Sequence, residues 1–157
     1  MSIEKVKAYF AQFGAEGRIM EFEVSSATVE LAAQAVGVEG ARIAKTLSFL
    51  LKDDTCVLIV AAGDARIDNS KYKAYFGTKA KMLPHDAVPE YVGHAVGGVC
   101  PFAVKEGVRV CLDASLRRFE TVFPAAGSAA SAIELSLAEL ERFSGSSEWI
   151  DVCKDWE

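Results

Sequence analysis

The stretch "AKTLSFLLKDDTCVLIVAA", residues 44–62, decides how this chain folds. Its second half, Cys56 to Ala62, is apolar at every position and no longer than a strand. A short run that is apolar on both faces belongs in the middle of a sheet rather than at its edge. The first half alternates. Lys45, Leu47, Phe49 and Leu51 fall on one face, and Thr46, Ser48 and Lys52 on the other. The Asp53-Asp54 pair supplies the turn that makes the two halves a strand pair. Lys45 is the exception on an otherwise apolar, inward face. An ammonium there snorkels to water, finds a partner, or faces a cavity that a ligand fills. Spacing alone leaves all three open.

Working outward, Ile3, Val6, Phe10 and Phe13 recur at helical spacing ahead of Gly14 and Gly17. "IMEFEV" alternates as a half-buried strand. "SSATVELAAQAVG" reads as a helix capped by Ser26 or Thr28 and stopped by Gly37. Beyond the strand pair, "IDNSKYKAYFG" is a short helix capped by Asp68 or Asn69. Lys81–Leu83 is a short strand, and Pro84 opens a helical turn toward Val92. "VRVCL", a short "ASLRRF" helix, "TVFPAAG" and "SAIEL" follow. Ser136 and Glu139 form a capping box for "LAELERF", and "EWIDV" is a closing strand. Strands and short helices alternate without regular crossover helices. The expected fold is therefore α+β, with a mixed, largely antiparallel, barrel-like sheet flanked by short helices. No linker or repeat divides residues 1–157, so one domain is expected.

Composition narrows the function. Of 157 residues, 51% are hydrophobic and 25% charged, ordinary values for a globular domain. No apolar run reaches membrane-spanning length and the start lacks a signal-peptide pattern, so a cytoplasmic protein is expected. Cys56, Cys100, Cys111 and Cys153 are scattered without metal-ligand spacing, so neither a metal nor a cofactor is expected. The net charge of −5 excludes a broadly basic nucleic-acid binder. A local basic stretch remains between Arg66 and Lys81, including Lys71 and Lys73. It reads as the solvated face of a helix and its following loop, or as a local basic site.

Two further stretches carry candidate chemistry. "AAGDARID", residues 61–68, follows the central strand; Gly63-Asp64 suits a tight turn, and Asp64 has Arg66 within reach. "HAVGGVCPFAV", residues 94–104, contains a glycine pair that permits close backbone approach, with Pro101 stiffening its far end. Such a loop is either a turn or a cradle of N–H groups for a carbonyl or phosphate. Cys100 is either a small wall residue or a nucleophile, for which His85 and His94 are the histidines available as base.

With Lys45, "AAGDARID" and "VGGVCPF" in that order, the sequence resembles the YbaK family from about Phe22 through Leu140. These are free-standing aminoacyl-tRNA deacylases related to the editing domain inserted in bacterial prolyl-tRNA synthetases. "AKTLSF" and the G-x-x-x-P loop Gly97-Gly98-Val99-Cys100-Pro101 carry the likeness most specifically. "VFPAAGSAASAIELS" is similar to the family's last strand pair. The resemblance implies strands around a pocket and hydrolysis of the ester between a wrong amino acid and tRNA. It implies that Lys45 holds the terminal adenosine and aminoacyl group rather than attacking, and that Gly98 acts with it at the reacting carbonyl. Substrate contacts would come from Thr46, Gly97, Val99, Cys100, Pro101, Gly127 and Ser128, and tRNA contacts from Arg66, Lys71 and Lys73. A synthetase or elongation factor would deliver the tRNA.

The chain also departs from that family. The subgroup that removes cysteine from tRNA for proline carries a serine, a basic pair and an aspartate near the final strands. Here the aligned positions are Ala125, Ser128-Ala129 and Ala132. A more apolar pocket wall follows, and with it a small substrate such as alanine, with cysteine the other candidate. A non-catalytic module binding a tRNA end or a synthetase on the same fold is the competing expectation.

Overall fold

The structure is a computed structural model and describes residues 2–26, 28–94 and 98–156. In chain order its elements are α1 (Ser2–Ala11), β1 (Met20–Glu21), α2 (Val29–Val36), β2 (Ile43–Leu50), β3 (Cys56–Ala62), β4 (Arg66–Ile67) and α3 (Asn69–Phe76). Next come α4 (Val88–Val92), β5 (Arg109–Asp113), β6 (Thr121–Pro124), β7 (Ser131–Ala132), β8 (Leu135–Ser136), α5 (Leu137–Ser144), β9 (Trp149–Ile150) and β10 (Cys153–Lys154). The fold is mixed α+β, around a curled, half-barrel sheet.

Every residue of β3 is buried, and the strand lies inside a six-stranded sheet of order β8-β6-β2-β3-β5-β9. The longest ladder, β2 with β3, is antiparallel, as is β6 with β8. The pairings β2–β6, β3–β5 and β5–β9 are parallel. Two short antiparallel ribbons, β1–β7 and β4–β10, tie the chain ends to the body. "IMEFEV" contributes only the two residues of β1, because its pairing stops where the chain turns toward Ser26. "SAIEL" is broken at Ile133–Glu134, so β7 pairs with β1 and β8 with β6.

Local signals fix the helix ends. Thr28 Oγ1 accepts from Leu31 N, Asp68 Oδ1 from Ser70 N and Lys71 N, and Ser136 with Glu139 closes the capping box. One aromatic cluster joins Phe10, Phe102 and Phe143, with Phe10 ring centroids 4.9 and 5.0 Å from its neighbours. A second joins Phe49, Tyr72 and Phe76. α2 packs separately, its Ala32 and Ala33 meeting Ile43 and Phe123 in a small cluster of their own.

Pairing along β2 leaves an opening. β3 covers one side of β2 throughout. On the other side β6 reaches only Ile43 and Ala44. At the far end the extended segment 81–83 takes over through a Phe49–Met82 bridge, with Leu50 N donating to Lys81 O (2.8 Å) and Leu83 N to Ser48 O (3.1 Å). Among the described residues, no strand covers the edge between those contacts, at Lys45–Leu47. Antiparallel geometry turns the main-chain groups of Ser48 and Leu50 away from β3, so those of Thr46 face this uncovered stretch.

Asp113 fastens the C-terminal segment. Fully buried at the end of β5, its carboxylate accepts from Ser115 N (2.9 Å) and Val152 N (3.0 Å). Removing it orphans two buried donors as well as two charge-assisted bonds. Asp113→Ala is therefore expected to lower stability by about 3 kcal/mol, read as a fall in the urea midpoint at unchanged slope.

Candidate functional site

A cavity of about 400 Å³ lies along the uncovered stretch of β2. Ala44–Ser48 form its floor, with Met82 and Leu83 at one end and Phe123 and Ala125 at the other. Ser26, Thr28, Val29 and Ala32 approach from the α2 side because residues 22–26 cross the 129–132 turn, Phe22 N donating to Ala130 O (2.8 Å). The walls are mostly apolar. Lys45 and His85 are its two lining side chains of basic character.

Lys45 is half-buried, and its Nζ donates to the carbonyls of Gly63 (3.4 Å) and Ala65. It thus finds partners and lines a cavity at once. Burial lowers its pKa below that of an ordinary lysine, an effect opposed by nearby groups including Asp64. The 62–65 turn holding it is itself braced. Asp64 pairs with Arg118 through two contacts, at 2.5 and 2.9 Å, and not with Arg66, and this guanidinium draws the Asp64 pKa down. Gly63 lies so close to Gly40 that a Cβ on it would sit 2.1 Å from the Gly40 carbonyl oxygen.

Thr46 also lines the cavity, and its Oγ1 is buried with no hydrogen-bond partner among the described residues. Val99 reaches the cavity wall. Gly97 lies outside the described residues. Gly98, Cys100 and Pro101 are buried behind the wall rather than on it. The absent side chain of Gly98 makes room for another loop: a Cβ there would lie 2.8 Å from the Gly127 carbonyl oxygen and 2.9 Å from Ser128 Cα. Gly127 and Ser128 thus meet the glycine loop, while the cavity itself touches their neighbours Ala125, Ser131 and Ala132. Ser131 Oγ organises that turn, accepting from Ala126 N and Ser128 N and donating to Ser128 O.

The nucleophile reading of Cys100 finds no support in this geometry. Its thiol is fully buried, 3.6 Å from His94 Nε2, and burial pushes its pKa up to about 12. His94 is equally buried and occupied by the Phe102 carbonyl (2.7 Å), with its pKa lowered mainly by desolvation. Cys56, Cys111 and Cys153 are buried too. Among the described residues no cluster of His, Cys, Asp or Glu is arranged to hold a metal ion, and no helix is long and apolar enough to cross a membrane.

Of the basic stretch, Arg66 and Lys73 are exposed without partners among the described residues. Lys71 is tied to Asp151 (3.1 Å) and to the Cys153 carbonyl (3.0 Å). Sequence reasoning missed His85, Met82, Val29 and Ser131 as cavity residues. They come from three segments far apart in the chain, and no local pattern links them.

This arrangement has known relatives. Residues 23–143 match the aminoacyl-tRNA editing domain family, and the chain belongs to it. It is 56% identical over 157 residues, all of both chains, to YwhH of Bacillus subtilis (strain 168), described as uncharacterized. It is 27% identical over 125 residues to proline–tRNA ligase of Limosilactobacillus fermentum (strain NBRC 3956 / LMG 18251), a match covering 74% of the chain but 22% of the ligase. A solved protein provisionally described as a trans-editing enzyme for prolyl tRNA synthetase shares the fold with a TM-score of 0.86 and 27% identity, covering 98% of this chain and 97% of that one.

Two glycines test the packing that shapes the cavity. Gly63→Ala and Gly98→Ala each force backbone apart, and each is expected to cost about 1–3 kcal/mol, seen as a lower thermal midpoint. An unchanged midpoint would mean that the paired loops part freely. All four thiols are expected to resist an aromatic disulfide reagent at pH 8 until the protein is unfolded.

Proposed function

We propose that the protein is a trans-editing hydrolase that removes a small amino acid, such as alanine or cysteine, from mischarged tRNA for proline. The observation that carries this reading is the cavity along the uncovered edge of β2, with Lys45 held at its wall. An ammonium has three N–H donors. Two go to the Gly63 and Ala65 carbonyls, and the third is left for the substrate's acyl or ribose oxygens. In its ammonium form Lys45 has no free lone pair, so it orients and polarises rather than attacks.

An aminoacyl ester is already activated. Water adds to its carbonyl carbon, the ester C–O bond breaks, and one water proton ends on the ribose oxygen. Positioning that water and stabilising the developing oxyanion supply several kcal/mol without a triad. The uncovered main chain and unpartnered hydroxyl of Thr46 are polar groups at the cavity available to the aminoacyl end.

Ala125 and Ala132 in the wall favour an apolar side chain, and so alanine over cysteine. The biological need is for a second sieve, because a missing methylene is worth only about 1–3 kcal/mol to a synthetase pocket built for proline.

Release of labelled amino acid from alanyl-, cysteinyl-, seryl- and threonyl-tRNA tests the reading. Wild type is expected to prefer alanine, and Lys45→Ala to lose at least ~100-fold in kcat/KM, the scale of one lost oxyanion or orienting contact. Strong preference for cysteine would overturn the reading of the wall. No turnover with any of the four, alongside retained tRNA binding, would identify a binding module instead.

A further inference from the structure

Beside the cavity lies a second hollow of about 340 Å³, lined by Leu50, Leu51, Lys52, Asp54, Thr78, Lys79 and Lys81. The two share a wall. Segment 81–83 pairs with the end of β2, presenting Met82 and Leu83 to the cavity and Lys81 to the groove. Met82 is 58% exposed at that border.

Lys52, Lys79 and Lys81 are all exposed, and none of their ammonium groups has an ion pair or hydrogen bond among the described residues. The groove gathers three of the chain's unpartnered cations in one hollow. Lys7, Arg18, Arg42, Lys71, Arg109 and Arg118 each have a carboxylate partner. The carboxylate in the groove, Asp54, accepts from Tyr91 Oη (3.1 Å), and its neighbour Asp53 accepts from Thr55. Three ammonium groups against one lining carboxylate leave a local positive excess on a protein of net charge −5.

We propose that this groove seats the phosphate backbone of the tRNA acceptor stem, leading the chain end past Met82 into the cavity. The proposal rests on the editing reading, since that reading supplies the RNA-borne ester. Its occupant is argued from charge: unneutralised lysines beside a ligand cavity match a polyanion that must enter there. Lys52 Nζ also lies near Gly77 at the C-terminal end of α3, where a cation interacts favourably with the helix, so the test leaves Lys52 intact.

The experiment compares wild type, Lys79→Glu/Lys81→Glu, and a charge-matched control, Arg142→Glu/Lys154→Glu, on α5 and β10. Affinity for an unacylated acceptor-stem hairpin is measured across a salt series, and hydrolysis is measured on alanyl-tRNA and on alanyl-adenosine. The groove variant is expected to bind the hairpin ~10-fold more weakly, with the salt slope reduced by about one to two. It should lose alanyl-tRNA turnover through KM while hydrolysing alanyl-adenosine as wild type does. Unchanged hairpin affinity and slope, or equal weakening in the control, would overturn the groove. If wild type hydrolyses neither ester yet binds the hairpin through Lys79 and Lys81, the editing reading fails and the groove stands.

Discussion

Burial of β3 on both faces is the constraint from which the rest follows. A strand apolar at all seven positions cannot lie at an edge or face water, so the sheet extends from it in both directions. β2 then has one side committed to β3 and only one side to spare. Two partners, β6 and segment 81–83, share that side without meeting. The gap between them is the cavity. An interrupted edge is ordinarily a liability, because unpaired strand groups invite another chain. Here the N-terminal crossing and α2 roof it over, converting an exposed edge into a sheltered row of main-chain donors and acceptors.

The position of Lys45 depends on a chain of contacts that reaches well beyond the cavity. Its ammonium is placed by two carbonyls of the 62–65 turn. That turn is placed by the Arg118–Asp64 pair and by the contact of Gly63 with Gly40. Arg118 Nε in turn donates to the Ser115 carbonyl, and Ser115 Oγ accepts from Ala62 N at the end of β3. The lysine is therefore positioned by the rigid centre of the sheet. This is the support that a group acting through orientation requires, since small misplacement is costly when geometry supplies the rate.

What could be read from the sequence were features whose physics is local or periodic. The β2–β3 pair, the capped helices α2, α3 and α5, and the oddity of Lys45 all follow from spacing and from short-range hydrogen bonds. Partners chosen across the fold could not be read this way. Asp64 had Arg66 two residues away and pairs instead with Arg118, because β4 carries Arg66 outward while the helical turn after β5 brings Arg118 to the turn. The two-residue strands β1, β4, β7, β8, β9 and β10 exist only through their neighbours and carry too few residues for a period to show. The sequence leaves the glycine loop as either a turn or a cradle, and in the fold Gly127 and Ser128 lie against Gly98 where a side chain would be. A glycine pair in a sequence signals close approach but does not say what approaches.

On the proposed reading, the charge distribution accounts for how an acidic protein would meet an acidic partner. Repulsion from a net charge of −5 is screened beyond roughly 8–10 Å at physiological salt. An RNA stem at the surface therefore feels the nearest side chains far more than the total. Where each cation has a carboxylate beside it, the local field nearly cancels. Along Lys79 and Lys81 it does not, and that uncancelled stretch adjoins the apolar mouth at Met82. Charge draws in the backbone, which every tRNA shares, and so contributes little discrimination. On the proposed reading, discrimination would fall to the apolar walls beyond, where Ala125, Ala132 and Val99 line the cavity. On that reading the two tasks would be separate, the groove holding an acceptor stem weakly and the cavity selecting the aminoacyl group.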